Sequence, residues 1–559
     1  MKRAKAWAAS IVFAVIFAFG LVSVTTTLAF AGVPTVDTVT PSGLNAPFQG
    51  DIVITFSEEM NPNVSGYVAL TGGAADMGVT ASWDATDTVY TIGYRGLDPN
   101  TTYTVEVSGF SSTTDDLMLT DDTNTFTTYA TAVCSIGSDL YGSLQDALAA
   151  AQTGDTIKLL TNITEATPVN VNGTSLTIDL VGYNLDLDGK DVSVTDGSLA
   201  INNGGTVTVG MGVYAENSTL AVNANIDSGQ YGISAIDGST VTVKGNISSS
   251  VDGIYASDEN TKVTMTGNIM VSGSNANDGV KACDGATVSV KGKISARWAI
   301  EVYSSYNDLP TTVTLDGNIT TDWKGIFAGG VGNVVNVTGS ITSDYNGIEA
   351  YSGAQVTMTG NITCANNDAD PTYDYFGVDS ENDGTIVTLN GNISMTAIST
   401  TGVLSYGVYA YDNGKAFING SIVTVGQDSV GAYADHGGQA TIEGTITAPT
   451  YVGLYDHSST LGWVNVFLTQ AEHDATSEKP GYLQYSRTPD PGYGSYTSYI
   501  WVKVPGSPTP LPGGGSNIPA AGDTHGLAGL VALFALAALG ASGAVLASRR
   551  IRKGNSPRP

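Results

Sequence analysis

Short apolar segments recur along most of the chain as a tandem repeat. Each copy alternates apolar and polar residues, as Val241-Thr242-Val243 does, continues through Gly-Asn-Ile or a close variant, and then reads Gly-Ile-x-Ala. Alternation with a period of two predicts β-strands with one buried face, and segments this short cannot bury that face alone. The isoleucine of Gly-Asn-Ile marks the copies and stands at Ile226, Ile247, Ile269, Ile294, Ile319, Ile341, Ile362, Ile393, Ile422 and Ile446.

The repeat predicts a mainly β fold in which residues 134–456 form a right-handed parallel β-helix solenoid. Each strand then pairs with its copies in the coils above and below, which buries all the apolar faces together. A helix over Ser143 to Ala151 is predicted to cover the open N-terminal end, and residues 457–504 are predicted to form a β cap at the other end. The stretch from Tyr141 to Leu160, with Leu176 to Leu180 after it, resembles the start of pectin-lyase-like β-helices in bacterial surface proteins.

The asparagines of the Gly-Asn-Ile motif are predicted to support one corner of the solenoid. Asparagine tolerates the left-handed backbone conformation of a tight corner, and its side chains can stack in a hydrogen-bonded ladder. We therefore interpret this column as structural, and it contains Asn246, Asn268, Asn318, Asn361 and Asn392.

The x position of Gly-Ile-x-Ala is predicted to point outward, because its Ile and Ala neighbours point inward. The resulting column is partly aromatic and contains Tyr214, Tyr255, Phe327, Tyr409, Tyr433 and Tyr455, interrupted by Ser234, Lys281, Glu349 and Asp379. One hypothesis is a docking surface for neutral sugars or a protein partner, since flat rings offer apolar area at a low entropic cost. The alternative is that the stacked rings stabilise neighbouring coils.

Residues 33–129 have the pattern of a separate β-sandwich, with alternating strands such as Ile52–Phe56. Their motifs resemble the bacterial Ig-like domain found in surface-layer proteins. The motifs are Val39-Thr40-Pro41-Ser42-Gly43, Ile54 to Met60, Leu97 to Tyr103, and Thr125 to Thr128. The resemblance implies a spacer or adhesive role.

The two ends of the chain predict export and membrane retention. Residues 1–31 have the basic start, apolar stretch and small residues of a signal peptide. Residues 524–548 are apolar and long enough to span a bilayer, and the basic tail 549–559 predicts a cytoplasmic C-terminus. The Pro- and Gly-rich segment 505–523 is predicted to be an extended spacer. The expected location is the extracellular face of the cell membrane, with a single membrane pass.

Ile518, Pro519, Ala521 and Gly522, followed by the apolar segment and basic tail, resemble the cell-wall sorting signal of Gram-positive surface proteins. That signal usually reads Leu-Pro-x-Thr-Gly, and a sortase cysteine attacks the threonine carbonyl. Here Ala521 stands at the threonine position. Membrane retention is therefore the expectation, and covalent attachment to the cell wall is the alternative.

Charge narrows the set of partners. The chain has 52 Asp and Glu against 22 Lys and Arg, a net charge of −30, which repels phosphate backbones and argues against nucleic acid. An extracellular glycan or a host or matrix protein is the expected partner, besides the membrane. No cofactor is expected. Calcium bound by Asp368, Asp370 and Asp374 is one hypothesis for the acidic loop that contains them, and a solvated loop is the alternative.

Together these features predict a non-enzymatic adhesin or envelope structural protein that displays a β-helical rod. The alternative is a surface polysaccharide lyase or glycoside hydrolase of the pectin-lyase-like fold. A hydrolase of this fold needs two or three carboxylates on adjacent coils. No such group stands out in the sequence, so no catalytic residue is predicted.

Overall fold

The computed structural model describes residues 33–64, 66–273, 277–304, 309–365, 374–396, 404–458, 462–488 and 496–507. Within these ranges no helix is long and apolar enough to cross a membrane. The predicted signal peptide, the predicted membrane helix and tail, and the sorting-like residues Ile518, Pro519, Ala521 and Gly522 lie outside the described residues.

The first eight strands form a β-sandwich, as the sequence predicts. They are β1 (Val36–Thr40), β2 (Gly43–Ala46), β3 (Gly50–Phe56), β4 (Tyr67–Thr71), β5 (Asp76–Trp83), β6 (Val89–Arg95), β7 (Thr102–Ser108) and β8 (Asp122–Thr128). One sheet has the order β1-β3-β6-β5 and the other β2-β8-β7-β4. Alternating residues such as Ile52, Ile54 and Tyr103, Val105 are fully buried between them.

Two short strands and one helix connect the sandwich to the solenoid. They are β9 (Cys134–Ile136), β10 (Asp139–Tyr141) and α1 (Leu144–Ala150). Ser143 caps the helix by accepting a hydrogen bond from the Asp146 N–H at 3.1 Å. The Glu165 carboxylate accepts from the Leu144 N–H at 2.8 Å. Leu144 and Ala147 of the helix belong to the solenoid core.

Three parallel sheets form the faces of the solenoid. Face 1 contains Thr156–Leu159, Ser175–Asp179, Ser198–Asn202, Thr219–Val222, Thr240–Lys244, Lys262–Thr266, Thr287–Lys291, Thr312–Asp316, Val334–Thr338, Gln355–Thr359, Ile386–Asn390, Lys415–Ile418 and Gln439–Ile442. Face 2 contains Ile163–Thr164, Leu185–Asp186, Thr206–Val209, Asn225–Ser228, Ile247–Ser249, Ile269–Val271, Ile294–Ser295, Ile319–Thr321, Ile341–Ser343, Ile362–Cys364, Ile393–Met395, Ile422–Thr424 and Ile446–Thr447. Face 3 contains Val169–Asn172, Val192–Thr195, Gly212–Glu216, Tyr231–Ile236, Asp252–Ala256, Asp278–Cys283, Trp298–Tyr303, Lys324–Gly329, Asn346–Tyr351, Tyr375–Glu381, Ser405–Tyr411, Ser429–Asp435 and Thr450–Ser458.

Three further strands complete the C-terminal end. Gly462–Leu468 pairs antiparallel with Thr450–Ser458 of face 3. Ser498–Lys503 pairs parallel with Gln439–Ile442 of face 1, and Tyr482–Arg487 pairs antiparallel with Ser498–Lys503. These strands continue the hydrogen bonding of faces 1 and 3 past the last repeat.

The predicted stacking of consecutive repeats is confirmed. Ile247 pairs with Ile269, and Ile269 pairs with Ile294, along the 13 strands of face 2. The inward residues Ile254 and Ala256 of face 3 are fully buried. The handedness of the coil stays a prediction.

The glycine of Gly-Ile-x-Ala is required by packing. A Cβ atom on Gly347 would lie 2.4 Å from the Gly377 carbonyl oxygen and 2.5 Å from Cγ2 of Ile362. The same contact between face 3 and face 2 recurs at Gly253, where a Cβ atom would lie 2.3 Å from Cγ2 of Ile269. A side chain at Gly347 or Gly253 would therefore force the neighbouring coil to shift.

The asparagine column is a hydrogen-bonded ladder, but its backbone geometry differs from the prediction. The Oδ1 atom of Asn246 accepts from the Asn268 N–H, and Oδ1 of Asn361 accepts from the Asn392 N–H, each at 2.9 Å. Most left-handed Asp and Asn residues in the described part of the solenoid, such as Asp237, lie instead at the corner between faces 3 and 1, whereas Asn203 lies at the corner between faces 1 and 2. At the Gly-Asn corner the glycine before the asparagine has a positive φ in some coils, for example Gly267 at +145°.

Candidate functional site

Face 3 carries the most varied chemistry on its outward side. We call the outward residues at the x position the central column. It contains Tyr214, Ser234, Tyr255, Lys281, Glu301, Phe327, Glu349, Asp379, Tyr409 and Tyr433, each paired with the next in register. A second outward column begins three residues earlier and includes Asp252, Asp278, Trp298, Lys324 and Asn346. Side chains from both columns meet on adjacent coils.

A cleft of about 390 Å³ opens where these two columns carry charges and indole rings. We call it the Trp298 cleft. Its lining is formed by Asn277, Asp278, Lys281, Arg297, Trp298, Glu301 and Trp323. The residues come from three consecutive coils, so the cleft exists only once the coils are stacked.

Two ion pairs cross between the coils at and next to the cleft. The Lys281 ammonium lies 2.6 Å from Oε2 of Glu301 and 3.5 Å from Oδ2 of Asp278. The Lys324 ammonium lies 2.7 Å from Oε2 of Glu349. All these side chains are at most 27% exposed, so water screens the pairs less than it screens surface pairs.

Asp278 lies at the floor of the cleft. It is 3% exposed, and its Oδ1 atom has no hydrogen-bond partner among the described residues. Burial, followed by the negative charge of Glu301, raises the pKa of the Asp278 carboxyl to about 8, against the attraction of Lys281. At neutral pH Asp278 is therefore mostly protonated, although the Lys281 ammonium lies beside it.

The indole rings are held by neighbouring side chains. The Lys324 ammonium lies 5.0 Å from the ring centroid of Trp298, and Phe327 packs edge-on at 5.2 Å. Trp323 is stacked on Tyr345 at 4.4 Å, with the Arg297 guanidinium 5.2 Å from its ring. Trp298 and Trp323 are both half-buried.

A second acidic group lies farther along face 3. Asp379 is buried, its Oδ1 atom has no hydrogen-bond partner among the described residues, and burial with the nearby Glu381 raises its pKa well above the usual value. Glu381 is partly buried, which raises its own pKa. No group of three or more metal-ligating side chains occurs in the described part of the chain, so nothing here assigns these carboxylates a metal.

The six aromatic residues predicted from the sequence fall into two groups. Tyr214, Tyr255 and Phe327 lie half-buried on the central column. Tyr409 and Tyr433 are stacked on each other at 5.3 Å. They belong to an outer apolar cluster, together with Tyr406 and the partly buried Tyr455.

Two of these residues are not placed as a docking stripe requires. Tyr433 is only 3% exposed, and its hydroxyl donates to Oδ1 of Asn465 at 2.6 Å. The register partner of Tyr433 is Gly453, so Tyr455 lies two residues beyond the central column. The Tyr455 ring is instead stacked with the His436 ring, and the ring centroids are 5.8 Å apart.

The predicted calcium residues are only partly described. Asp368 and Asp370 lie outside the described residues. Asp374 is exposed, and its Oδ1 atom accepts a hydrogen bond from the Leu404 N–H at 2.9 Å. The calcium hypothesis stays a prediction.

Sequence reasoning missed the residues of the Trp298 cleft. In the sequence pattern Lys281 interrupts an aromatic column, and the position three residues before x belongs to no motif. The sequence feature that could have indicated the cleft is the variation at that position, which is Asp252, Asp278, Trp298 and Lys324 in four consecutive coils. Asp278 pairs with Trp298, and Trp298 pairs with Lys324. A column that changes chemistry within a regular repeat indicates positions that the packing of the repeat does not fix.

An Ig-like module followed by a β-solenoid is the architecture of a surface protein. Residues 32–128 match a family model described as a bacterial Ig-like domain. The sandwich at β1 to β8 is therefore a bacterial Ig-like domain, as its motifs predict. No curated protein matches the chain.

Proposed function

We propose that this protein is displayed on the extracellular face of a cell membrane and binds an extracellular glycan through face 3 without cleaving it. The observation that carries the proposal is the Trp298 cleft, which places indole rings beside ion-paired side chains on an otherwise regular solenoid. Aromatic rings and a few convergent polar groups are the usual components of small-ligand sites.

The ends of the chain support display at the surface. In this proposal residues 1–31 direct export, residues 524–548 span the membrane, and the tail 549–559 stays in the cytoplasm. The spacer 505–523 holds the folded domains away from the bilayer.

Protease treatment of intact cells tests this location. External protease should degrade the folded domains and spare a small C-terminal fragment. Detergent should extract the chain, whereas release by a muramidase alone would support covalent attachment at Ala521. Complete protection from external protease would contradict surface display.

Glycan binding is tested with the full chain purified in detergent. It should show saturable binding to at least one glycan in a panel of neutral and acidic polysaccharides, and no binding to duplex DNA. Binding to matrix proteins and to no glycan would indicate that the partner is a protein. Binding to nothing in either panel would contradict the proposal.

One observation favours an enzyme as the second candidate. Burial and the neighbouring Glu301 raise the pKa of Asp278, and a carboxyl kept protonated beside a second carboxyl can act as a general acid. Incubating the full chain with the same glycans, with and without calcium, separates the candidates. New reducing ends would indicate a hydrolase, and unsaturated products would indicate a lyase.

A further inference from the structure

Glycan binding by face 3 can be narrowed to one place and one class of sugar. We propose that the Trp298 cleft holds one neutral sugar ring, stacked against the indole and hydrogen-bonded by the Lys281–Glu301 pair. This inference rests on the proposed function, because it names the subsite and the sugar class for the same glycan.

Trp298 offers a prepared stacking surface. Its indole borders the cleft and is held by Lys324 and Phe327, at 5.0 Å and 5.2 Å. A ring that is already fixed loses little side-chain freedom when a sugar stacks on it. The cleft volume of about 390 Å³ falls in the range of small-ligand pockets, about 300–1,000 Å³.

The polar groups of the cleft match sugar hydroxyls. Lys281 and Glu301 form one contact with each other at 2.6 Å, and their side chains are 27% and 14% exposed. An ammonium has three donors and a carboxylate about four acceptor positions, so both keep capacity for a ligand. A hydroxyl both donates and accepts, and it can therefore bond to both members of the pair. Arg297 adds an exposed donor at the rim.

The charge balance favours a neutral sugar over an acidic one. The chain carries a net charge of −30, which repels acidic chains. The cations at and next to the cleft belong to Lys281, Arg297 and Lys324. Lys281 and Lys324 are already paired with carboxylates. A uronate chain would meet a negative field with two of three cations occupied.

Asp278 sets the charge of the site. The groups that face it are Asp252 on the preceding coil, Lys281 on its own strand and Glu301 on the next coil. While Asp278 is protonated, the Lys281 ammonium is paired with Glu301 alone. Ionisation of Asp278, whose pKa burial raises to about 8, adds a second negative charge that competes for the ammonium. Sugar binding should therefore weaken as the pH rises through about 8.

The experiment measures affinity of the full chain in detergent for neutral oligosaccharides and for oligogalacturonates of matched length. Trp298→Ala should weaken binding of the neutral sugar about tenfold or more, and Trp298→Phe should restore part of it. Glu301→Gln should also weaken binding. Phe417→Ala is the matched control, because Phe417 is an exposed aromatic residue on face 1, and it should leave the affinity unchanged.

The pH profile provides an independent readout. Wild-type affinity should be flat from pH 6 to 7 and fall above about pH 8, whereas Asp278→Asn should remain flat over the whole range. Asp379→Asn is the control, since this buried carboxyl lies four coils away, about 19 Å along the axis. It should keep the wild-type profile.

The outcomes separate this inference from the proposed function. Wild-type glycan binding that Trp298→Ala and Glu301→Gln leave intact would overturn the subsite but not the function. Binding restricted to oligogalacturonates and abolished by Arg297→Gln would overturn the neutral-sugar assignment. Absence of all glycan binding by the wild-type chain would overturn both.

Discussion

Face 2 and face 3 run along the same solenoid and differ in how far their outward residues repeat. Face 2 repeats an inward isoleucine, and most of its outward residues are Ser or Thr, as at Ser248 and Thr320. Face 3 repeats its inward Ile and Ala positions closely, while its outward columns change from Tyr to Lys, Glu and Phe. The residues of the inward columns must fit the same core in every coil. The outward columns are not under that constraint, so their chemistry can change from coil to coil.

The inward isoleucine column should show the largest effect. Ile362 is fully buried between faces 2 and 3, and Ile362→Ala removes buried methyl groups and leaves a cavity. We expect the free energy of unfolding to fall by about 4 kcal/mol, measured by urea denaturation. Thr363→Ala, the outward neighbour, should change it by less than about 0.5 kcal/mol. Equal effects would break the contrast between inward and outward columns.

The glycine column should be almost as sensitive. Gly347→Val places a side chain 2.4 Å from the Gly377 carbonyl oxygen, and we expect a loss of about 3 kcal/mol from overpacking, measured in the same way. Ser234→Ala, at an outward position of face 3, is the control and should be nearly neutral. A stable Gly347→Val variant would show that adjacent coils can separate locally. Ala299 occupies the equivalent position in one coil, so Gly347→Ala should cost less than Gly347→Val.

The same contrast explains what the sequence could predict. The solenoid and its buried columns follow from Val-x-Val, Gly-Asn-Ile and Gly-Ile-x-Ala, because packing repeats these residues in nearly every coil. The Trp298 cleft was not predictable in the same way, since it depends on which outward side chains of three coils meet. Their alignment is set by the hydrogen-bonding register and not by any motif.

Tyr455 illustrates the limit of pattern matching. Gly453-Leu454-Tyr455 reads like the repeat motif, so the sequence places Tyr455 at x. The register pairs Gly453 with Tyr433 instead. A Cβ atom on Gly453 would lie 2.5 Å from Cδ2 of Tyr433, so the lack of a side chain at Gly453 leaves room for the Tyr433 ring. Near the end of the solenoid, a local contact therefore overrides the repeat.

The outward carboxyls of face 3 should make stability depend on pH in an unusual direction. Burial raises the folded-state pKa of Asp278 to about 8, and it also raises the pKa values of Asp252 and Asp379. Between the unfolded pKa of about 4 and these raised values, the folded state binds more protons than the unfolded state. Unfolding then releases protons, and the free energy of unfolding should fall from about pH 4 to about pH 8.

Denaturation at a series of pH values tests this dependence. The decline should be at most about 1.4 kcal/mol per pH unit for each such group. Asp278→Asn should make the decline shallower, whereas Glu216→Gln, an exposed residue on the same face, should leave it unchanged. Stability that rises steadily from pH 5 to pH 8 would contradict burial of these carboxyls.

The asparagine ladder at the Gly-Asn corner should show the smallest effect, because its groups are exposed and water can replace a lost bond. Oδ1 of Asn361 accepts from the Asn392 N–H at 2.9 Å, and Asn361→Ala should lower the free energy of unfolding by about 1 kcal/mol. The chain already places serine at this position in two coils, where the hydroxyls of Ser340 and Ser421 accept from the next coil at 3.2 Å and 3.1 Å. Asn361→Ser should therefore retain most of the stability in urea denaturation. If Asn361→Ser were as destabilising as Asn361→Ala, a hydrogen-bond acceptor alone would not be enough, and stability would depend on the asparagine amide itself. The outward side of this corner would then be as constrained in sequence as the core.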